Sequence, residues 1–280
     1  MHTRTILAGV LAAGALAVAP GVALADKTDQ TAAQINKAVA AENAAPAARN
    51  PDVSIPSTGT GVITLGGSGA GEIAVDLPAK GAADQAGKTT VFDGAAPGAQ
   101  VGVQPTAHGV RVLVHIDSAE APERYPFAMS GDIAHLKQEA DGSVSGYDAD
   151  GQLVTHIAPA WARDANGRDV PTLYEIEGTT LVQVVKHRGG DWAYGITADP
   201  DWWKVAKCVM AVTWVLGTSI FVVAKITKIR GAIRALGGIR QTAKLLVGAT
   251  SRAEKMRALG RAGAGAASYF LGIDTIRTNC

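Results

Sequence analysis

Val110-Arg111-Val112-Leu113-Val114-His115-Ile116 is the stretch on which the reading of this chain turns. Successive side chains of an extended strand point to opposite faces. Val110, Val112, Val114 and Ile116 therefore share one side, and Arg111, Leu113 and His115 the other. The alternation predicts a strand with one well-buried face. Outward from it, β-prone runs recur at 62–65, 72–77, 89–92, 101–104, 153–157, 172–176 and 180–185, separated by Gly, Asp, Asn and Pro. That spacing is the pattern of an all-β sandwich or rolled sheet. Asp141-Gly142, Asp150-Gly151 and Glu177-Gly178 fall between candidate strands, where Gly supplies the positive φ of a tight turn; three such signals predict consecutive hairpins.

From Trp202 onward the strand pattern gives way to helix formers. Residues 208–224 carry no charge, and Lys225, Lys228, Arg230, Arg234, Arg240 and Lys244 then recur at helical intervals among Ile229, Ile233, Leu236, Leu245 and Leu246. The pattern predicts an apolar helix leading into cationic amphipathic helices, broken at Gly237-Gly238 and Gly248. A last helix is expected after Ser251, with Glu254 three residues on as its capping partner. The fold class expected is α+β: an antiparallel β-sandwich-like domain followed by a disulfide-closed helical domain.

Charge divides the chain at the same place. Residues 26–201 hold 12 Lys/Arg against 23 Asp/Glu, a net −11, and residues 202–280 hold 13 Lys/Arg against Glu254 and Asp274, a net +11. The overall +1 thus conceals two halves that attract each other and suit different partners. The organisation read from the sequence is a signal peptide at 1–25, a polar Ala/Pro-rich arm at 26–57, an acidic β-rich domain at 58–201 and a basic apolar helical domain at 202–280. Within the arm a helix is predicted over 30–42, but Pro46, Pro51 and Pro56 argue for a mobile segment as a whole.

Arg4, the apolar run from Ile6 to Val18 and Ala23-Leu24-Ala25 have the order of a secretory signal with a small-x-small cleavage site. Export places the two cysteines, Cys208 and Cys280, in an oxidising compartment where they can form one bridge. Closing so long a loop stabilises by about 4 kcal/mol in the chain-entropy model.

Several motifs between Tyr125 and Trp203 resemble a cassette of secreted actinobacterial proteins, most of them unassigned. They are Tyr125-Pro126-Phe127, Asp148-Ala149-Asp150-Gly151, Ala158-Pro159-Ala160-Trp161-Ala162-Arg163-Asp164-Ala165-Asn166-Gly167, Val170-Pro171-Thr172 and Ala198-Asp199-Pro200 before Trp202-Trp203. Ala160 stands where the cassette usually has Pro. The resemblance implies an extracellular β-domain with a variable tail, some tails being helical and Cys-bounded, and it transfers no catalytic residue.

Function is expected in the tail. Cationic amphipathic helices gain electrostatic attraction to anionic lipid while their apolar faces enter the acyl boundary. Lys225, Lys228, Arg230, Arg234, Arg240 and Lys244 are the candidates for contact with anionic lipid or cell-wall polymer, with Trp202, Trp203 and Trp214 as interfacial anchors. The expected function is a secreted, extracellular, non-enzymatic interaction protein, extending to membrane perturbation, whose acidic domain shields the tail by intramolecular contact. The plainer reading is a small helical bundle packed on itself with its basic face turned to the β-domain. The apolar run also admits a single-pass membrane protein spanning at about 208–224, and the scattered polar side chains admit a secreted enzyme with an unrecognised site. Nucleic acid is disfavoured because no aromatic platform is interleaved with the cations. No cofactor or metal is predicted: Asp164 to Asp169 has its Gly too early for a calcium loop and reads as an Asx turn, and His108, His115, His135, His156 and His187 are scattered singly.

Overall fold

The computed structural model describes residues 27–40, 52–66, 72–106, 109–204, 208, 212, 223–249, 252–260, 273 and 276. The expected signal peptide lies outside them. The chain opens with helix α1 (Lys27–Ala40) and runs through strands β1 (Val53–Ser54), β2 (Val62–Leu65), β3 (Ile73–Asp76), β4 (Ala79–Ala86), β5 (Thr89–Gly94), β6 (Ala99–Thr106), β7 (Gly109–Ile116) and β8 (Arg124–Gly131). It continues with β9 (His135–Gln138), β10 (Val144–Tyr147), β11 (Leu153–Ile157), β12 (Ala162–Arg163), β13 (Thr172–Glu177), β14 (Thr180–Val185), β15 (Ile196–Ala198) and β16 (Asp201–Lys204). Helices α2 (Val223–Ala235), α3 (Ile239–Gly248) and α4 (Arg252–Gly260) follow.

The strands form two antiparallel sheets. One has the order β1-β2-β3-β8-β14-β13; the other runs β4-β5-β6-β7-β16-β11-β10-β9, with β15 also on β7 and β12 on β15. Inward residues of both sheets make one apolar core. Tyr125, Phe127 and Met129 of β8 enter it from one side and Val110, Val112, Val114 and Ile116 of β7 from the other. Trp202 joins them edge-on to Phe127, with ring centroids 5.3 Å apart. The protein is therefore α+β, with a β-sandwich-like body and helices at its C-terminal end.

Strand β7 is buried along its whole length, on both faces. The second face, expected to be the less buried one, is covered by α1: Leu113 clusters with Ile35 and Val39. The arm at 26–57 therefore does not begin as a mobile segment. Thr31, Ala32, Ile35 and Val39 form the buried stripe of a helix that carries Asp29 in its first turn and Lys37 in its last, each favourable to the helix dipole. The Thr31 hydroxyl donates to Gln100, and Gln104 Nε2 donates to Asn36 Oδ1 at 2.8 Å. Ile35 fills the space left by the missing side chain of Gly102, where a Cβ would lie 2.5 Å from its Cδ1.

The passage from strand to helix also lies later than expected. Ile196 to Trp203 runs along β7 in one register, with Ala198 opposite Val114 and Asp201 opposite Arg111. Between them the Pro200 carbonyl accepts from Val112 N–H at 3.0 Å. Strand signals thus persist through Lys204, and Trp202 and Trp203 belong to the centre of the sheet rather than to the head of the tail.

In the helical part, α2 ends at Gly237 and Gly238, with φ of 90° and 100°. Gly238 N–H returns to Ile233 O at 2.8 Å and Gly237 N–H to Arg234 O at 3.1 Å, the paired bonds of a Schellman cap. Ile229, Ala232, Ile233 and Leu236 of α2, Ala243, Leu246 and Val247 of α3 and Leu259 of α4 form a second core with Leu153 of β11. The apolar faces of α2 and α3 are therefore turned inward. The Ser251 cap expected for α4 lies outside the described residues.

Candidate functional site

The helices meet the sandwich over the β9–β10 hairpin. Its turn closes where Glu139 N–H donates to Ser143 O at 2.8 Å and Gly142 N–H to Glu139 O at 3.0 Å. Asp141 Oδ1 accepts from the Ser143 N–H at 3.0 Å and its hydroxyl at 2.5 Å, an Asx turn that holds both side chains. The strand register sets Ser145 opposite His156 of β11. Helix α3 crosses above, and Lys244 Nζ reaches Ser145 Oγ at 2.6 Å and Glu139 Oε1 at 3.1 Å. The Ser145 hydroxyl donates in turn to Glu139 Oε1 at 2.8 Å, closing a triangle. Earlier on the same helix, Arg240 donates to the Gly151 carbonyl at 2.8 Å and lies 5.8 Å from the Tyr147 ring centre.

Beside the triangle opens a cavity of about 610 Å³. Glu139, Asp141, Ser143 and His156 line it from the sandwich, and Lys244, Leu245 and Glu254 from the helices. Burial alone would raise the Glu139 carboxyl, but hydrogen bonds from Ser145 and Lys244 and the Lys244 charge outweigh it and hold Glu139 at about 2. The hydrogen bond from the Ser143 hydroxyl draws Asp141 below its ordinary value, against the opposing effect of burial. Burial first, and the Lys244 charge second, push His156 down to about 4 despite nearby Asp141 and Glu139. At neutral pH Glu139 and Asp141 are thus carboxylates and His156 a neutral imidazole, with Lys244 and Glu254 on the helical wall of the cleft.

The arrangement forms a clamp. The Ser145 proton is directed to Glu139, whose carboxylate at about 2 is only a weak base, and its oxygen accepts from Lys244 Nζ. A charged pair of this kind, half-shielded from water, instead fixes how α3 sits on the sandwich.

The structure separates the predicted contact residues into groups. Lys228, Arg230 and Arg234 are exposed on α2, while Ile229, Ala232 and Ile233 of the same helix are buried. Arg240 and Lys244 are turned onto the sandwich. Lys225 lies on α2 and Trp203 on β16, but their side chains, with Trp214 and Cys280, lie outside the described residues. So does nearly all of 208–224, and among the described residues no helix is long and apolar enough to cross a membrane. Trp202 is corrected as an interfacial anchor: it is 0% exposed and wedged between the sheets. Cys208 is buried in the helical core, its sulfur 3.8 Å from the Ala243 carbonyl oxygen.

The remaining polar residues singled out in the sequence have structural partners. Asp164 accepts from Asn166 and Arg168 N–H, from Arg168 Nε at 2.7 Å and from Ala193 N–H, so its own turn uses both oxygens. Buried His115 lies 3.2 Å from Thr197 Oγ1, His135 stacks on Tyr147 and His187 meets Tyr194 edge-on. His108 falls outside the described residues. Sequence reading missed the Glu139–Ser145–Lys244 triangle and its neighbour His156. The one local signal was the Asp141-Gly142 turn, which sets Glu139 and Ser143 across from each other but says nothing of a lysine about a hundred residues later. Neither a scan against protein-family models nor a search of curated proteins returns a match for this chain.

Proposed function

We propose that this is a secreted, non-enzymatic interaction protein whose basic helical module engages anionic lipid or cell-wall polymer, held against an acidic β-sandwich until it does so. The observation that carries the reading is the outward face of α2. Lys228, Arg230 and Arg234 are exposed there, while the apolar residues of the same helix support the bundle. Surface attraction therefore comes first from charge, at roughly 1 kcal/mol per cation near an anionic bilayer. Entry of Ile229, Ile233 and Leu236 into an acyl layer requires the helices to part from one another, which is where membrane perturbation would arise.

Export rests on the signal-like N-terminus and on the resemblance to secreted actinobacterial proteins. A Cys208–Cys280 bridge completes the proposal, supported by the burial of Cys208 in the helical core. Co-sedimentation with phosphatidylglycerol/phosphatidylcholine vesicles tests the reading. Wild type is expected to bind at low salt and dissociate as salt rises, and K228E/R230E/R234E to lose at least about tenfold in affinity. Unchanged binding by that variant would rule out the α2 face.

A further inference from the structure

We infer that the outer edge of β13 is a self-association surface: two copies of this chain pair their β13 strands antiparallel about a two-fold axis, joining their six-stranded sheets into one. This surface lies on the sandwich, apart from the helical module of the proposed function.

The strands beside β13 fix which of its backbone groups face outward. Gly178 and Thr179 close the β13–β14 hairpin between the paired Glu177 and Thr180. At the far end of the same register Lys186 N–H donates to Pro171 O at 2.8 Å. Hydrogen-bonded and non-hydrogen-bonded pairs alternate along an antiparallel ladder. Leu173, Glu175 and Glu177 therefore exchange their bonds with β14, and the N–H and C=O groups of Thr172, Tyr174 and Ile176 point away from it. Among the described residues no strand pairs with β13 on that side. β9 of the other sheet comes near β13 without exchanging ladder bonds with it.

The other sheet edges are closed or short. β4 is irregular between Lys80 and Asp84, and residues 57–59 bond along it, Gly59 N–H to Gly81 O at 2.8 Å and Ala83 N–H to Ser57 O at 2.9 Å. β1 and β12 have two residues each, and β9 has four and carries exposed Lys137. β13 has six, with no proline, glycine or bulge. Long regular edges are templates for pairing with another chain, and natural edges are commonly guarded by charge. Here the guarding charges, Glu175 and Glu177, both bind Arg124 at 2.7 Å, which partly neutralises them.

The strand is also complementary to itself. With Tyr174 on the two-fold axis opposite Tyr174 of the second copy, the outward groups meet in pairs, Thr172 with Ile176 of the second copy and the reverse. That register sets Leu173 opposite Glu175 of the second copy, twice by symmetry, and no glutamate directly opposite another. Leu173, 38% exposed in the single chain, gains the Glu175 methylenes opposite it and the second Leu173 on the diagonal, within reach of a long side chain. A two-fold pairing of this kind closes at two copies.

Sedimentation velocity of the full chain at rising concentration, without lipid, tests the pairing. Wild type is expected to pass from monomer to dimer. L173E sets like charges opposite each other twice and should weaken the dimer at least about tenfold, whereas L173K sets opposite charges there and should hold or tighten it. Should L173E fail to fold, L173K against wild type still decides, because a dimer that L173K weakens tenfold contradicts the register. A wild type that stays monomeric at every concentration overturns the inference and gives the edge to an extended segment of another protein. A dimer that L173E leaves unchanged, or that L173K weakens as much as L173E, overturns it equally.

Discussion

Arg111 and Asp201 form the most deeply placed ion pair among the described residues, 2.9 Å apart with side chains only 3% and 10% exposed. Each lies at a paired position of β7 and β16. Removing one charge leaves the other in a medium that solvates it poorly, so D201N is expected to destabilise by about 3–5 kcal/mol. Chemical denaturation measures this, and a cost under about 1 kcal/mol would show that water already reaches the site. Asp164 is the second residue on which much depends. Burial would raise its carboxyl, but hydrogen bonds from the Arg168 backbone and side chain and from Ala193 outweigh that and hold it below its ordinary value. Its contribution is present at neutral pH and lost as pH falls below the ordinary aspartate range. D164A should therefore lower the melting temperature at pH 7 and change it much less at pH 2.

At the scale of elements, α1 depends on a gap in β6. Gly102 has no side chain where Ile35 sits, and an added methyl would collide with the Ile35 side chain. G102A should loosen α1 and expose Leu113, while I35A should cost about 2–4 kcal/mol through the lost contact and the cavity left behind. Limited proteolysis between α1 and β1 reports both; an unchanged cleavage rate in G102A would mean that the helix slides to accommodate the methyl. The reading of 110–116 as a strand and of the Asp-Gly pairs as hairpin turns needed only local chemistry: alternation and positive-φ glycines. The burial of the strand's second face did not follow from it, because Leu113 is covered by a helix some seventy residues earlier. The proline-rich composition after residue 45 likewise concealed that Thr31, Ala32, Ile35 and Val39 already make an adequate apolar stripe.

At the scale of the whole molecule, the basic and acidic segments meet where Lys244 and Arg240 of α3 rest on the hairpins of the sandwich. The charge asymmetry of the sequence shows that such halves attract. It does not show which cations are turned inward, since that depends on the crossing of α3 over β10 and β11. Nor does it show that Trp202 belongs to the sandwich, because its partners on β7 and β8 lie about ninety and seventy-five residues earlier. The cations so divided have separate tasks in the proposed function: Lys244 and Arg240 hold the module, and Lys228, Arg230 and Arg234 face outward. The most direct test is the affinity of E139Q for anionic vesicles at pH 7, since this substitution weakens the clamp and leaves every residue of the helical module intact. Tighter binding than wild type is the predicted result, and equal or weaker binding would contradict an acidic sandwich that restrains a surface-seeking tail.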